Sequence, residues 1–174
     1  MENNLEYSTI YKAKLGDIDS FEKLIRKYQK PIKTFVFCFF ENMDLVDDIS
    51  QEIFIKLFKE LKKLRDISNF KAWLFKIAKN TCIDYYKKLK KDKVLINFNE
   101  SISSYDERIE DKVILKEDIK NLFLKLTPEE RITLILVNYF GFSYKEASEI
   151  LDCSKGTIAS RIYYINKKIT KIFS

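Results

Sequence analysis

Turn-forming residues are nearly missing from this chain: 174 residues include only three glycines (Gly16, Gly141, Gly156) and two prolines (Pro31, Pro128). Sheet proteins reverse direction often and lean on these residues to do so, and no run here alternates apolar and polar residues as a half-buried strand would. Long helices with short connections are therefore expected. With 46% hydrophobic residues the chain can bury a core, and its length fits one medium domain or two small ones. Helical patterns run over 17–40, 44–64, 70–91, 112–126, 128–139, 144–151 and 155–172, with Pro31 expected to bend or interrupt the first. Thr127, Pro128 and Glu130 form a strong start signal: cap, Pro at the first helical position, and Glu three residues after the cap.

The last two patterns form a recognisable pair. Ala147, Ile150 and Leu151 recur at three- and four-residue spacing after a capping-box start at Ser143 and Glu146. Asp152, Cys153 and Ser154 separate this run from a second, in which Ile158, Ile162, Ile165, Ile169 and Ile172 share one stripe, with Ser154 as its N-cap. Two helices, a tight turn and a small residue at their closest approach are the pattern of a DNA-binding helix-turn-helix. An ordinary helical hairpin has the same periodicity, and charge favours the first: from 153 to 174 there are five basic residues and no acid, a one-sign surface suited to phosphates.

The net charge of +6 conceals segregation. Residues 56–93 hold 13 Lys or Arg against four acids, a net of +9, while 99–118 hold seven acids against three bases, a net of −4. Basic ends around an acidic middle suggest two nucleic-acid-binding units and a tether that avoids the nucleic acid. The expected fold is all-α: two small helical domains at 1–91 and 112–174, joined by a flexible acidic linker at 92–111, the C-terminal domain being the helix-turn-helix. Within 64–93 aromatics are interleaved with lysines, which can serve single-stranded nucleic acid by base stacking and backbone tracking. Trp73, Leu74 and Ile77 are expected in the core, whereas Phe70, Tyr85 and Tyr86 are open to either role.

Cys38, Cys82 and Cys153 are too few and too widely spaced for a disulfide framework or a zinc motif. There is no histidine, so the commonest general base and the commonest metal ligand are absent, which takes away the usual tools of catalysis without excluding it. A polar N-terminus without signal-peptide character, and no apolar run near the roughly 20 residues of a membrane span, point to a cytoplasmic protein with no membrane insertion.

Taken in order, "VDDISQEIFIKLFKEL", "NFKAWLFKIAKNTCIDYYKK" and "LTPEERITLILVNYFGFSYKEASEILDCSKGTIASRIYYINKKI" resemble a bacterial RNA polymerase sigma factor of the small extracytoplasmic-function type, over about 17–172. The resemblance implies a transcription initiation factor that binds core polymerase, at its clamp helices and flap, and selects promoters, with no cofactor and no enzymatic activity of its own because polymerase supplies the chemistry. On it, 1–91 is similar to sigma region 2 and 112–174 to region 4. Asp48, Gln51, Glu52, Phe54 and Leu57 become candidates for the clamp-helix interface, with core packing an equal reading for Phe54 and Leu57. Asp66, Ser68, Asn69, Phe70, Lys76, Lys79 and Asn80 become candidates for the melted non-template strand of the minus-ten element. For the duplex minus-thirty-five element the candidates are Lys155, Thr157, Ala159, Ser160, Arg161, Tyr163, Tyr164 and Lys167. An anti-sigma factor is a further partner the resemblance allows, although no residue announces one. Lys, Ile and Asn richness is compatible with the Gram-positive relatives that direct toxin or bacteriocin genes.

Two departures from the family pattern stand out. Lys outnumbers Arg 27 to five. In the last helix Ala159, Ser160, Tyr163 and Tyr164 occupy groove-facing positions where family members often place Arg, the bidentate reader of guanine; methyl groups and ring edges suit thymine methyls instead. A minus-thirty-five element rich in A and T is expected, with Arg161 off the groove face and nearer phosphate. Rival readings are a stand-alone helix-turn-helix regulator, a recombinase using Tyr85 or Tyr86 as nucleophile, and a pure protein-interaction module. The first leaves the 44–91 motifs unexplained, the second lacks clustered cationic activators, and the third does not account for the two basic segments.

Overall fold

The computed structural model describes residues 2–40, 42–91 and 125–173. The expected linker, and the expected helix 112–126 apart from its last two residues, lie outside the described residues. All regular structure among the described residues is helical. Helix α1 (Glu2–Lys14) leads into α2 (Ile18–Phe40), α3 (Met43–Glu60) and α4 (Phe70–Lys91). The C-terminal half comprises α5 (Pro128–Leu134), α6 (Tyr144–Leu151) and α7 (Lys155–Phe173).

Helix α1 was not legible as an apolar stripe, because its inward face offers only Ile10 and Ala13. Polar contacts hold it instead. Glu6 accepts from the Tyr28 hydroxyl at 2.6 Å and pairs with Lys27 at 2.9 Å, and the Lys14 ammonium donates to the Leu64 carbonyl at 2.6 Å. Gly16, at φ +101°, turns the chain where a side chain would be strained, and Asp17 then caps α2 by accepting from the Ser20 amide.

Pro31 does not interrupt α2, which continues through it to Phe40. Loss of one backbone bond there is tolerated because Leu24, Tyr28, Ile32, Phe35 and Val36 are buried on both sides of it. In α3, Val46, Ile49, Ile53 and Leu57 repeat at helical spacing and are all buried, and Asn42 caps the start by accepting from the Leu45 amide. Two short 3₁₀ turns, Leu61–Lys63 and Ile67–Asn69, bring the chain to α4. Helix α4 buries Phe70, Leu74, Phe75, Ala78 and Cys82, with Ile77 nearly as deep.

Both expected capping boxes form, at Thr127/Glu130 and Ser143/Glu146. Helix α5 widens after Leu134 into a π turn, Ile135–Tyr139, closed by the Phe140 amide on the Ile135 carbonyl at 2.9 Å. The two halves share one core. Phe75 of α4 packs with its ring centre 5.3 Å from Phe35, 4.7 Å from Phe140 and 5.2 Å from Phe142, so the segment before α6 is seated on α4.

Candidate nucleic-acid interface

Helix α6 ends at Asp152, whose backbone is left-handed at φ 50°, ψ 47°; the Cys153 amide closes the end on the Ser148 carbonyl at 3.1 Å. Ser154 starts α7 by accepting from the Thr157 amide at 3.0 Å. Between the helices Ala147, Ile150, Ile158, Ile162 and Ile165 are buried, so the turn and the apolar contact fix the crossing together. The opposite face of α7 presents Lys155, Ala159, Ser160, Tyr163, Tyr164 and Lys167, all exposed. Tyr163 and Tyr164 are 64% and 57% exposed and meet edge to face at 5.4 Å, a pair standing free of the core. Two hydroxyls on this face are engaged locally: Thr157 Oγ1 shares a hydrogen bond with Ser154, and Ser160 Oγ donates to the Gly156 carbonyl. Arg161 is half-buried and turned toward α5, where its guanidinium donates to Thr133 Oγ1 at 3.5 Å.

The loop before α4 is organised around one carboxylate. Asp66 accepts from the Ser68 amide (2.9 Å), the Ser68 hydroxyl (2.7 Å) and the Asn69 amide group (2.7 Å), and these bonds hold its pKa below the ordinary Asp value. Asp66, Ser68, Asn69 and Asn80 are exposed. Phe70 is not available with them. It is 1% exposed, edge to face with Tyr28 at 5.5 Å, and a ring so placed cannot stack on a base. Lys76 and Lys79 both reach the Asp152 carboxylate, at 3.0 and 2.5 Å, and Lys79 is buried. Lys62, Lys63, Arg65, Lys87 and Lys88 are exposed and give the N-terminal half its open basic surface. Tyr85 is half-buried and Tyr86 exposed, while Trp73 packs on the edge of the core.

A third surface lies between α2 and α3. A groove of about 580 Å³ is lined by Phe21, Ile25, Gln29, Gln51, Phe54 and Phe58, among others, and Lys33 pairs with Asp47 across its rim at 2.6 Å. Asp48 and Gln51 are exposed beside it, and Glu52 is half-buried, 4.0 Å from Lys56. Phe54 forms part of the wall. Leu57 does not reach the surface: it is fully buried, since its turn of α3 faces the core.

Residues 24–92 match the family model for sigma-70 region 2, and residues 116–165 match that for sigma-70 region 4. The RNA polymerase sigma factor SigZ of Bacillus subtilis is 32% identical over 145 residues, 81% of this chain and 80% of that protein. The chain belongs to the RNA polymerase sigma factors. It is of their extracytoplasmic-function type: the sigma factor SigW of Bacillus subtilis, which carries that designation, is 28% identical over 166 residues, 88% of this chain and 89% of that one. Bartonella quintana RpoE, solved in complex with the anti-sigma factor NepR, has the same fold at 22% identity, with a TM-score of 0.68 over 88% of this chain and 96% of that one. A stand-alone helix-turn-helix regulator would leave the region 2 match without a counterpart, and that alternative is set aside.

In this sigma factor the residues expected to read duplex DNA lie together on α7, except Arg161, which α5 holds aside. Those expected to meet a melted strand are divided. Asp66, Ser68 and Asn69 form one exposed cluster, Phe70 is core, and Lys76 and Lys79 are taken up by the C-terminal half. The sequence reading missed Ile55 and Phe58 of the groove, 46% and 57% exposed. Phe58 follows Phe54 by four residues and Gln51 by seven, so the stripe they form was available as a signal but was absorbed into the core pattern. Among the described residues no helix is long and apolar enough to cross a membrane, and no cluster of side chains could hold a metal ion.

Proposed function

We propose that this sigma factor binds core RNA polymerase with its N-terminal half and directs initiation at promoters whose minus-thirty-five element is read by α7. The observation that carries the reading is the division of α7: one face buried against α6, the other exposing lysines at both ends of a Tyr163–Tyr164 pair. A helix of this kind fits the major groove, where ring edges and the Ala159 methyl can meet thymine methyls while lysines meet phosphates. Its outer face has no Arg aimed outward, so an element rich in A and T is favoured over one rich in guanine.

In the same reading 1–91 and 112–174 act as regions 2 and 4, with 92–111 as the connection. The α2–α3 groove, with Asp48, Gln51, Glu52 and Phe54 and the added Phe58, receives the clamp helices of polymerase, and the C-terminal half lies near the flap. The Asp66–Ser68–Asn69 cluster with Asn80 meets the displaced non-template strand, whose flipped base must recover a few kcal/mol of unstacking from its pocket. No step of catalysis belongs to this chain, since polymerase supplies the chemistry. An anti-sigma factor as regulator is supported by the complex in which the Bartonella relative was solved. The Gram-positive toxin or bacteriocin group is supported by the Lys, Ile and Asn richness, and the genes downstream of its promoters would decide it. Competition for purified core polymerase tests the interface: Phe58→Asp should lose binding while keeping the wild-type helical spectrum, and retained binding would refute the assignment of the groove.

A further inference from the structure

The loop at 64–69 carries the exposed cluster of Asp66, Ser68 and Asn69, and the hydrogen bonds to the Asp66 carboxylate come from inside the loop. Those bonds fix the shape of the cluster and leave its seat on the molecule to other contacts. Leu64 and Ile67 supply part of that seat, since both are buried. The rest comes from α1, which lies against both 3₁₀ turns of this stretch. At the loop's entrance the half-buried Lys14 donates from its ammonium to the Leu64 carbonyl at 2.6 Å, across 50 residues of sequence. Leu64 is extended there, at φ −60° and ψ 116°, so its carbonyl has left the helical pattern and is open to such a donor. At the exit the Glu6 carboxylate accepts from the Tyr28 hydroxyl at 2.6 Å, and the Tyr28 ring meets Phe70, the first residue of α4, edge to face at 5.5 Å. Glu6 and Lys14 are eight residues apart, about 12 Å along a helix, so α1 braces both ends of the loop at once.

Apolar burial does not explain why α1 sits here, since its inward face offers only Ile10 and Ala13. Its polar contacts do, and an ammonium on a backbone carbonyl is a charge-assisted one with a fixed target. We infer that Lys14 is a positioning residue for the loop: by holding the Leu64 carbonyl it sets the tilt of the Asp66–Ser68–Asn69 cluster at the start of α4, and with it the choice among bases. The inference rests on the reading of this loop as the part that meets the displaced strand. A base pocket discriminates through hydrogen bonds that weaken steeply when misaligned, so a small tilt lowers selectivity before it lowers binding. A lysine that merely touched phosphate would instead act on every sequence alike.

Lys14→Met keeps the length of the side chain and removes the donor, whereas Lys14→Arg keeps a donor. In the free protein, amide hydrogen exchange at Ser68 and Asn69 should run about three- to tenfold faster in Lys14→Met, with the amides of α3 unchanged, and Lys14→Arg should stay near the wild type. With core polymerase, initiation is compared on one promoter and on its single-base variants across the minus-ten element. Lys14→Met should lower the discrimination between bases about three- to tenfold while its affinity for core polymerase stays at the wild-type value, and Lys14→Arg should restore the discrimination. Glu6→Leu, which frees the other end of the brace, should act in the same direction. Unchanged loop exchange in Lys14→Met overturns the inference, as does a loss equal on all promoters with a shallower salt dependence, which would make Lys14 a phosphate contact. Asp66→Ala separates this from the underlying reading: if it alters a base preference that Lys14→Met leaves intact, the positioning role alone fails, and if it alters none, the loop is not the reader and both fail.

Discussion

Thr127 and Ser143 each accept from the amide three residues on, while Glu130 and Glu146 reach back to the cap amides, so two orphan donors are satisfied at each helix start. Both were legible because the motif is local and contains its own partners. Replacing either cap residue by Ala should cost about 1 kcal/mol in denaturant unfolding. Glu130 carries an extra load through its pairing with Lys168 at 2.6 Å, which links α5 to α7. The placement of Asp152 was not legible, since its partners lie more than 70 residues away in sequence. Hydrogen bonds from Lys79 and then Lys76 hold its carboxyl below the ordinary Asp value of 3.8. Its contribution to the contact between the turn and α4 is therefore complete above that ordinary value and is lost as pH falls through the lowered one. Carbon-13 NMR titration of the Asp152 carboxyl should give a midpoint below 3.8, and Lys79→Met should raise it. Burial pushes the Cys38 thiol up to about 12, so alkylating reagents should reach it only on unfolding.

At the scale of elements, the periodic helices were readable because each buries an apolar stripe that the sequence displays directly. Helix α1 was not, because Glu6, Tyr28 and Lys27 hold it through polar contacts that no stripe announces. The π turn at Ile135–Tyr139 was read as plain helix, since its widening depends on where Phe140 and Phe142 must land on α4. Pro31 is expected to bend or interrupt its helix; α2 is not interrupted there, because packing on both sides of the proline offsets the local loss. On α7 the outward residues followed from periodicity, while the inward turn of Arg161 depended on Thr133 in another helix. Selection from a randomised minus-thirty-five library should return A/T-rich sequences, with Tyr163→Arg shifting the preference toward guanine; a G-rich wild-type preference would refute the role given to the tyrosine pair.

For the molecule as a whole, charge segregation made two basic halves apparent but could not say that they meet. The aromatic ring contacts of Phe75 decide that, and they join residues the sequence assigns to a helix and to a connection. Phe75→Ala should destabilise the protein by about 3–5 kcal/mol in denaturant unfolding, since it opens a cavity shared by both halves. Phe70 and Leu57 illustrate the same limit from the other side: family position marked them as contacts, whereas the shared core takes them. The central claim is that these two halves confer promoter choice on an enzyme that lacks it. Run-off transcription with bare core polymerase on a library of promoter fragments tests this directly. Addition of the protein should produce discrete starts from a subset of fragments sharing two spaced elements, and transcripts no different from those of core enzyme alone would contradict it.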